Sequence, residues 1–386
     1  MKILLTTDLY DPVVNGVVTS VNSLKEALTA SGHEVRILTL SESLHSHATD
    51  CVSYVGSVNA NKIYPQARLR ARFARKLIHD ILRWHPDVVH SQCEFSTFLI
   101  ARKICKRLDI PLVHTYHTVY EDYTHYFCPS RRIGKKVVSK LSSALSRRCD
   151  LMVAPTEKVR DLLKKYQVSS PVFVSPTGIS LEKFSRRLHP ERRQKLRQDL
   201  GLDADALVLV FVGRLAKEKN LEEILSFLPD CPAHSMLLVV GDGPNRPYLE
   251  EQAIRLGVQD RVLFTGMIPP SLIADYYQLG DIFVSASTSE TQGLTYIEAL
   301  ASGVPLLCRR DACLLDIVDT GSNGWLYETK AEFLACVQNY PTSASQRRIF
   351  SENAGRTAQQ FSLEHFGQQM ESIYLHAMNF RETANI

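Results

Sequence analysis

Two glutamates, Glu290 and Glu298, stand eight residues apart around a glycine in the segment from Ser289 to Pro305. A pair of carboxylates could serve a glycosidase, one as the acid and the other as the base or nucleophile. If the segment were helical throughout, a rise of ~1.5 Å per residue would separate them by ~12 Å, beyond the ~5–9.5 Å that this hydrolysis requires. We therefore expect both carboxylates to form hydrogen bonds with one bound ligand.

Backbone amides and basic side chains could bind an anion beside these glutamates. A turn at Gly293 and a helix that ends at Gly303 would leave the amides of residues 293–295 at a helix N-terminus, which favours anions. Arg214 and Lys219 follow an apolar run, and at the carboxyl end of a strand they could neutralise a diphosphate. A solvated basic loop is the alternative.

The first half of the chain offers a glycine and several histidines. Gly16 lies between the first apolar run and a helical pattern, where it either lets a ligand approach the backbone or forms a plain turn. Four side chains of types that bind metals follow a later run: His114, His117, His125 and Cys128. On a continuing strand, residues three apart point to opposite faces, so no metal ion is expected there. We expect His117 to face a ligand cleft, and a buried structural imidazole is the alternative.

Positioning these residues requires elements that bring strand ends together. Short apolar runs without polar alternation are interleaved with helical patterns, which indicates parallel sheets covered by helices on both faces. The pattern restarts after residue 200, and Pro176 and Gly178 mark the connection. We predict an α/β protein with two facing Rossmann-like doubly wound domains and a ligand cleft between them. The predicted segments are 1–178, 179–360 and a C-terminal helix, 361–386, that returns to the first domain.

Composition and missing motifs exclude several classes of protein. The 386 residues are 45% apolar and 22% charged, as in ordinary globular proteins. No apolar run approaches the ~20 residues of a membrane-spanning helix. The nine cysteines form no Cys-x-x-Cys pair, so zinc ribbons and thioredoxin-type chemistry are not expected. A Walker loop is absent, and Arg246 stands where a dinucleotide fingerprint needs its third glycine.

Charge is distributed unevenly along the chain. Residues 1–180 contain 25 Lys and Arg against 15 Asp and Glu, a net +10, whereas the remainder has 20 against 26. Residues 131–148 combine seven basic residues with apolar residues spaced by four, a pattern typical of a helix on an anionic membrane. A second such helix is predicted over residues 68–77. Apolar stripes that face the core are the alternative. The predicted membrane-binding residues are Arg68, Arg72, Arg75, Lys76, Arg131, Arg132, Lys135, Lys136 and Lys140.

Taken together, these motifs resemble the retaining glycosyltransferases of the GT-B fold, whose signature is Glu-x7-Glu, here Glu290 to Glu298. Supporting motifs occur in the expected order over nearly the whole chain: the Gly16 loop, Thr177-Gly178-Ile179, Gly213-Arg214, Glu218-Lys219-Asn220 and Gly241-Asp242-Gly243-Pro244. Thr291-Gln292-Gly293 replaces the family's usual Gly-Phe-Gly. With residues 115–123, this departure resembles the bacterial 1,2-diacylglycerol 3-glucosyltransferases.

The resemblance implies catalytic roles for His117 and Glu290. His117 matches the histidine that contacts the sugar near the reaction centre. Glu290, with the amides of Gly293 and Leu294, would bind the transferred sugar and the phosphates, and Glu298 would bind the ribose hydroxyls. The donor-binding set that the resemblance implies comprises Arg214 and Lys219 on the diphosphate, the backbone at Met267 on the nucleobase, Gly16 and Val17 over the phosphates, and Gln292, Gly293, Leu294, Thr295 and Glu298.

The resemblance also implies a function. Glucose from UDP-glucose would be transferred with retention to a membrane lipid, diacylglycerol, at the cytoplasmic face of the plasma membrane. The expected partners are a nucleotide sugar, a lipid acceptor and an anionic membrane surface, without nucleic acid, because no nucleic-acid module is recognised. No metal or other cofactor is expected, because basic residues and helix amides would stabilise the leaving diphosphate. The alternatives are another acceptor (a phospholipid, ceramide or polysaccharide), another hexose, a nucleotide-sugar isomerase or hydrolase, and a non-catalytic sensor.

Overall fold

The chain forms two compact units. The computed structural model describes residues 1–13, 15–60, 68–70, 74–121 and 130–384. The first unit comprises residues 1–178 with 363–386, and the second comprises residues 179–362. Each unit is built on a predominantly parallel sheet with a hydrophobic cluster on either face. The chain leaves the first unit after Gly178, in the segment whose Pro and Gly interrupt the regular elements.

The described residues of the first unit contain ten strands: β1 (Lys2–Thr6), β2 (Glu34–Leu40), β3 (His47–Ala48), β4 (Val52–Val55), β5 (Ser57–Asn59), β6 (Arg68–Arg70), β7 (Val88–Ser91), β8 (Leu112–Thr115), β9 (Leu151–Ala154) and β10 (Val172–Val174). Eight of them form one sheet in the order β10-β9-β8-β7-β1-β2-β4-β3, which is parallel except for the β3–β4 pair. Leu4 of β1 packs on one face, and its neighbours Ile3 and Leu5 pack on the other. Because strand side chains alternate, burial on both faces explains the uninterrupted apolar runs of the sequence.

Helices cover the sheet of the first unit, and side chains cap some of them. Asn15 caps the first helix and Thr156 caps the fifth, each by accepting a hydrogen bond from a backbone amide three residues ahead. No helix among the described residues has both the length and the apolar composition that crossing a membrane requires. The helices are α1 (Gly16–Ala30), α2 (Arg75–Trp84), α3 (Ser96–Leu108), α4 (Arg131–Ser146), α5 (Glu157–Lys165) and α14 (Leu363–Ala384).

The predicted amphipathic helix over residues 68–77 is wrong in its first part. Arg68 and Leu69 lie in β6, which pairs antiparallel with β5. The Arg68 guanidinium donates through Nε to Ser41 O and Ser57 Oγ, at 3.1 and 2.7 Å. Backbone pairing and these hydrogen bonds stabilise the strand, so Arg68 is a structural cross-link, and the helix begins only at Arg75. Arg72 lies outside the described residues.

Six strands form the sheet of the second unit: β11 (Leu207–Val212), β12 (Ser235–Val240), β13 (Val262–Gly266), β14 (Ile282–Ser285), β15 (Leu306–Arg309) and β16 (Gly324–Tyr327). All are parallel, in the order β13-β12-β11-β14-β15-β16. β11 is central and fully buried. The surrounding helices are α6 (Leu181–Ser185), α7 (Pro190–Asp199), α8 (Leu221–Phe227), α9 (Arg246–Arg255), α10 (Ile273–Tyr277), α11 (Leu294–Ala301), α12 (Lys330–Gln338) and α13 (Ala344–Ala358).

The C-terminal helix α14 packs against α1 and completes the core of the first unit. A Cβ added to Gly367 would lie 3.2 Å from the Cβ of Ala27, so glycine permits this close approach. The Tyr374 hydroxyl is 2.7 Å from Nδ1 of His90, a buried residue of β7. Phe366, Met370, Ile373, Tyr374 and Ala377 are all buried in the same hydrophobic cluster as β1 and α1.

Candidate functional site

Loops that follow neighbouring parallel strands meet at one edge of the second unit's sheet. β11 lies between β12 and β14, so their carboxyl ends are adjacent. Gly213 N donates to Val240 O at 3.0 Å, and Leu215 N donates to Asp242 O at 2.9 Å. A Cβ on Gly241 would lie 2.1 Å from Gly213 O, and Gly241 has a φ of 130°. Only glycine therefore allows the loops after β11 and β12 to approach this closely.

The basic loop after β11 contacts the acidic loop after β14. Lys219 Nζ forms an ion pair with Glu290 Oε1, and both side chains are largely buried. The hydroxyl of Ser289 donates to Glu218 O at 3.3 Å, a second link between the loops. The exposed guanidinium of Arg214 has no hydrogen bond or ion pair with any described residue. The structure thus brings Lys219 and Glu290 together and leaves the Arg214 charge available on the same loop.

The N-terminus of α11 follows the Glu290 loop and begins at a glycine that the geometry requires. Gly293 has a φ of 75°, and a Cβ there would lie 2.3 Å from the Tyr296 ring. The helix has no side-chain cap, so its first amides favour an anion. Leu294 and Thr295 are half-buried in this first turn, and Gln292 is buried just before it.

Glu298 is the helical member of the glutamate pair. Because α11 begins at Leu294, Glu290 lies in the preceding loop, and the ~12 Å separation expected for a continuous helix does not apply. The Tyr277 hydroxyl donates to Glu298 Oε2 at 2.7 Å. Burial raises the pKa of Glu298 to about 6, against the opposing effects of the Tyr277 hydrogen bond and the Lys183 charge. The two glutamates therefore differ in charge compensation: Glu290 has a cationic partner and Glu298 a neutral one.

The remaining donor-side position, Met267, lies directly after β13 and is exposed. β13 is at the end of the sheet beyond β12, so the Met267 backbone is further along the edge that carries the Gly241 loop. Tyr277 was not identified by sequence analysis. It lies 21 residues before Glu298 in a short helix, and nothing in the local pattern predicts their contact.

In the first unit, α1 begins at Gly16, directly after the β1 loop. Asn15 Oδ1 accepts a hydrogen bond from Val18 N at 2.9 Å and caps the helix. Gly16 is exposed and Val17 is half-buried. A Cβ on Gly16 would meet no atom of the described residues within 4 Å. The local fold therefore does not itself require glycine there, and the backbone is open to a ligand.

His117 lies on the loop after β8 and contacts the loop after β7. Its Nε2 is 2.6 Å from Gln92 Oε1, an arrangement in which the imidazole donates the hydrogen bond. Burial lowers the pKa of His117 to about 4; the Glu94 charge opposes this effect and His114 adds to it. The imidazole is therefore neutral at neutral pH, with Nε2 protonated and Nδ1 left as an acceptor.

Glu94 makes the second contact between these two loops. The Tyr120 hydroxyl donates to Glu94 Oε2 at 2.5 Å, and His114 Nε2 lies 3.6 Å from Oε1. The sequence patterns did not predict Gln92, Glu94 or Tyr120 as site residues. A signal for the first two was present, since residues 92–94 directly follow an apolar run, the same strand-end position that singled out His117.

The expectation of no metal ion after β8 was based on a strand that continues through His117. The strand ends at Thr115, so the assumption of a continuing strand through His117 is wrong. Within the described residues, no three His, Cys, Asp or Glu side chains are grouped so that they could hold a metal ion. His125 and Cys128 lie outside the described residues.

The basic helix α4 exposes apolar side chains as well as charges. Ile133, Val137 and Leu141 are 58%, 43% and 64% exposed, whereas Val138 is buried. Three residues of the stripe spaced by four therefore face away from the core, whereas the fourth, Leu145, is partly buried against it. Lys135 pairs with Glu121 at 2.5 Å. The other predicted membrane residues are placed as follows: Arg131 begins α4, Arg132, Lys136 and Lys140 are exposed on α4, and Arg75 and Lys76 are exposed at the start of α2.

Comparison with known proteins places this architecture in a defined class. Residues 14–183 match the model of Glycosyltransferase Family 4, and residues 192–356 match Glycosyl transferases group 1. Anabaena HepE in complex with UDP and glucose has a TM-score of 0.75 at 19% identity, covering 97% of this chain and 99% of that one. Sucrose-phosphate synthase from Thermosynechococcus elongatus has a TM-score of 0.73 at 21% identity, covering 97% and 98%. The fold is the two-domain α/β GT-B fold.

Two proteins named alpha-monoglucosyldiacylglycerol synthase resemble the chain over nearly its full length. That of Streptococcus pneumoniae is 36% identical over 98% of this chain and 86% of its own length. That of Acholeplasma laidlawii is 31% identical over 97% of both chains. The chain belongs to the GT-B glycosyltransferases and resembles these synthases within that family.

Proposed function

We propose that this glycosyltransferase moves glucose from UDP-glucose to the hydroxyl of diacylglycerol, with retention of the anomeric configuration. The observation that carries the proposal is the near-full-length similarity to two alpha-monoglucosyldiacylglycerol synthases. In the reaction, the bond from the sugar C1 to the diphosphate oxygen is replaced by a bond to the acceptor oxygen on the same face of the sugar. The acceptor hydroxyl gives its proton to the leaving diphosphate, so the products are a monoglucosyl lipid and UDP.

The second unit supplies the charges that this leaving group needs. The guanidinium of Arg214 has no partner among the described residues, and Lys219 is fixed by Glu290 at the carboxyl end of the central strand. The backbone amides at the N-terminus of α11 add a partial positive charge to these two full charges. Groups fixed in place before the reaction stabilise developing negative charge without the cost of reorienting. We therefore propose that no metal or other cofactor is needed, with Glu298 binding the ribose hydroxyls and the Met267 backbone binding the nucleobase.

His117 is proposed to bind the transferred sugar as a neutral group. Its lowered pKa of about 4 means that a protonated imidazole is scarce at neutral pH. The contact with Gln92 fixes the ring and leaves Nδ1 to accept a hydrogen bond from a sugar hydroxyl. The histidine therefore orients the sugar and is not the proton donor.

The membrane is proposed to contact the exposed face of α4. Ile133, Val137 and Leu141 supply apolar side chains, and Lys136 and Lys140 supply positive charge beside them. Such a helix binds the interface of an anionic bilayer through both effects. We place the enzyme peripherally at the cytoplasmic face. The eight cysteines in the described part of the chain are all free, in keeping with a reducing compartment.

The decisive experiment measures UDP release and lipid product together. The protein is incubated with UDP-glucose and vesicles of phosphatidylglycerol, with and without diacylglycerol, and the anomeric configuration of the product is read by NMR. UDP release that depends on diacylglycerol, with an α-linked product, is expected. UDP-galactose and GDP-mannose are tested in parallel. Consumption of UDP-glucose without lipid would instead indicate a hydrolase or isomerase, and UDP-glucose binding without turnover would indicate a sensor.

Matched variants tie the activity to the described site. Glu290→Gln keeps the shape but removes the carboxylate that fixes Lys219, so kcat should fall by about 100-fold. Glu191→Gln makes the same chemical change at an exposed position of α7 and should leave kcat unaltered. Equal activity of both variants would remove Glu290 from the mechanism.

A further inference from the structure

A cluster of polar residues in the first unit contains a buried carboxylate, that of Glu94, whose contacts with the described residues do not satisfy both of its oxygens. Gln92 and Glu94 follow β7, and His114, His117 and Tyr120 belong to β8 or the loop after it. His117 is assigned above to the sugar, with Gln92 fixing it. Glu94 has no role in that arrangement, yet its side chain is only 14% exposed. A buried carboxylate requires compensating partners, because desolvation opposes its charge.

Among the described residues, only one of the two Glu94 carboxylate oxygens has a hydrogen-bond partner. Oε2 accepts the hydrogen bond from Tyr120, whereas Oε1 is buried and has no hydrogen-bond partner among the described residues. His114 Nε2, at 3.6 Å from Oε1, is beyond hydrogen-bond distance. Nε2 of Gln92 is likewise buried without a partner in the described part of the chain. Both ring nitrogens of His114 are also buried without a hydrogen-bond partner among the described residues. Because buried polar atoms are nearly always paired, Glu94 Oε1 and Gln92 Nε2 are atoms whose missing partners a ligand could supply.

The chemistry of the two atoms defines that ligand. A carboxylate oxygen only accepts hydrogen bonds, so Oε1 requires a donor such as a hydroxyl. An amide nitrogen only donates, so Gln92 Nε2 requires an oxygen acceptor. Burial and the adjacent Glu94 raise the pKa of Tyr120 well above its ordinary value, so Tyr120 keeps its proton and continues to occupy Oε2. Oε1 is therefore the oxygen left for a ligand.

The surface next to Glu94 is apolar. Phe95 and Leu99, at the start of α3, are 59% and 48% exposed, and the Phe95 ring lies edge-on to Tyr120 at 6.5 Å between centroids. Arg70 N donates to Ser96 Oγ at 3.1 Å, which places β6 and its exposed Leu69 beside the same helix. A ligand whose hydroxyl reaches Glu94 would thus have apolar side chains next to its remaining atoms. This favours a lipid alcohol over a sugar.

We propose that Glu94 binds the hydroxyl of the lipid acceptor through Oε1, with Tyr120 as the residue that positions the carboxylate. Gln92 Nε2 would donate a hydrogen bond to an oxygen close to that hydroxyl, such as an ester oxygen of diacylglycerol. This assignment rests on the proposed function for the identity of the lipid. Glu94 would thereby select acceptors that have a free hydroxyl. It would act when the acceptor binds, before the sugar is transferred.

The test compares an alcohol with its methyl ether in the absence of UDP-glucose. Binding of 1,2-dihexanoylglycerol and of its 3-O-methyl ether to the full chain is measured by isothermal titration. The ether cannot donate a hydrogen bond, so wild-type protein should bind the alcohol about tenfold more tightly. Glu94→Gln presents an amide that can donate to either ligand, and the preference should fall to within about twofold. Glu26→Gln, on the exposed side of α1, should keep the wild-type preference.

Two further variants keep the test independent of folding. Glu94→Asp keeps the charge but withdraws it by one methylene, and it should lose most of the preference. Tyr120→Phe removes the group that positions Oε2, and it should reduce the preference while leaving UDP affinity unchanged. Equal binding of alcohol and ether by wild-type protein, or an undiminished preference in both Glu94 variants, would overturn the assignment. Because no donor is present, these results are separate from failure of the proposed function, which would appear as no diacylglycerol-dependent UDP release by wild-type protein.

Discussion

Glu290 and Glu298 have the same side chain but different environments. Glu290 forms an ion pair with Lys219 in a loop, whereas Glu298 accepts a hydrogen bond from the neutral Tyr277 on a buried helix. Burial raises the pKa of Glu298 from 4.5 to about 6. One carboxylate is thus suited to fixing a cation beside the diphosphate and the other to accepting hydroxyl groups.

Glu298 should make stability decrease with pH. Between pH 4.5 and about 6 the folded protein binds more protons at this carboxyl than the unfolded chain does, so its contribution falls as pH rises. Glu298→Gln removes this titration. Relative to wild type, the free energy of unfolding of the variant should increase by about 2 kcal/mol between about pH 4 and 7. Urea denaturation at several pH values measures this difference, and a difference that does not change with pH would contradict the raised pKa.

His117 should not add an inflection to the pH dependence of turnover near neutrality. Since its pKa is about 4, the imidazole has one protonation state throughout the usual assay range. His117→Ala should lower kcat by about 100-fold at every pH from about 5.5 to 8, with UDP affinity little changed. His189→Ala, at an exposed position, is the control. An inflection near pH 6.5 that disappears only in His117→Ala would show that the histidine transfers a proton.

Sequence predicts the residues of the candidate site better than their partners. Lys219 and Glu290 are 71 residues apart, yet both follow parallel strands, and the rule that such strand ends meet was enough to expect them near one ligand. Tyr277 with Glu298 and Tyr120 with Glu94 obey no such rule. Their contacts depend on how helices and loops pack, and that information is distributed over the whole chain.

Helix α4 shows how one element can bind a core through some positions and leave others exposed. Val138 is buried, whereas Ile133, Val137 and Leu141 are exposed beside Lys136 and Lys140. An exposed stripe of three large apolar residues indicates an interaction surface when it is continuous with basic residues. The element therefore has two faces of different function.

Reversing the charge on α4 should weaken membrane binding. Lys136→Glu with Lys140→Glu removes two attractive charges and adds two repulsive ones. At about 1 kcal/mol for each basic residue near the surface, vesicle affinity should fall by more than tenfold in low salt. Co-sedimentation with phosphatidylglycerol vesicles measures this.

The matched control changes the net charge equally on another helix. Lys106→Glu with Arg107→Glu, at exposed positions of α3, should weaken binding much less. Similar losses in the two double variants would mean that net charge, and not the α4 surface, determines binding.

The prediction of secondary structure failed in a segment whose apolar residues fit both the alternation of a strand and the period of a helix. The segment 68–77 fits a basic helix, but its first residues form β6 because their backbone can pair with β5. That pairing depends on residues about ten positions earlier, outside the window in which periodicity is judged. The parallel strands were predictable because they are buried on both faces, and burial leaves a direct trace in composition.

The predicted two-domain α/β GT-B fold is confirmed for the whole molecule. Its first unit is discontinuous in sequence, since α14 supplies part of a core otherwise made by residues 1–178. Five side chains of α14 are buried in this core. Burial of each of the larger ones stabilises the unit by on the order of 1.5–3 kcal/mol, and the sum is comparable to the stability of a whole domain. The helix is therefore an integral part of the first unit.

Deleting residues 363–386 should unfold the first unit and spare the second. Calorimetry should show the loss of one transition, and UDP should still raise the midpoint of the other, because ligands stabilise the unit that binds them. Deletion of residues 382–386 alone is the control, as it retains Arg381, which pairs with Asp109 and Asp150 at 2.9 and 3.0 Å. Two intact transitions after the longer deletion would contradict this role of α14.

The return of the chain also imposes an order on biosynthesis. When the ribosome has made β10, the first unit still lacks α14, and the whole of residues 179–362 must be translated before that helix emerges. At 5–20 residues per second this takes roughly 10 to 40 s. During that interval the nascent chain exposes the apolar groove that α14 will fill, while the contiguous second unit can already fold. The second unit can thus reach its native state before the first unit is complete.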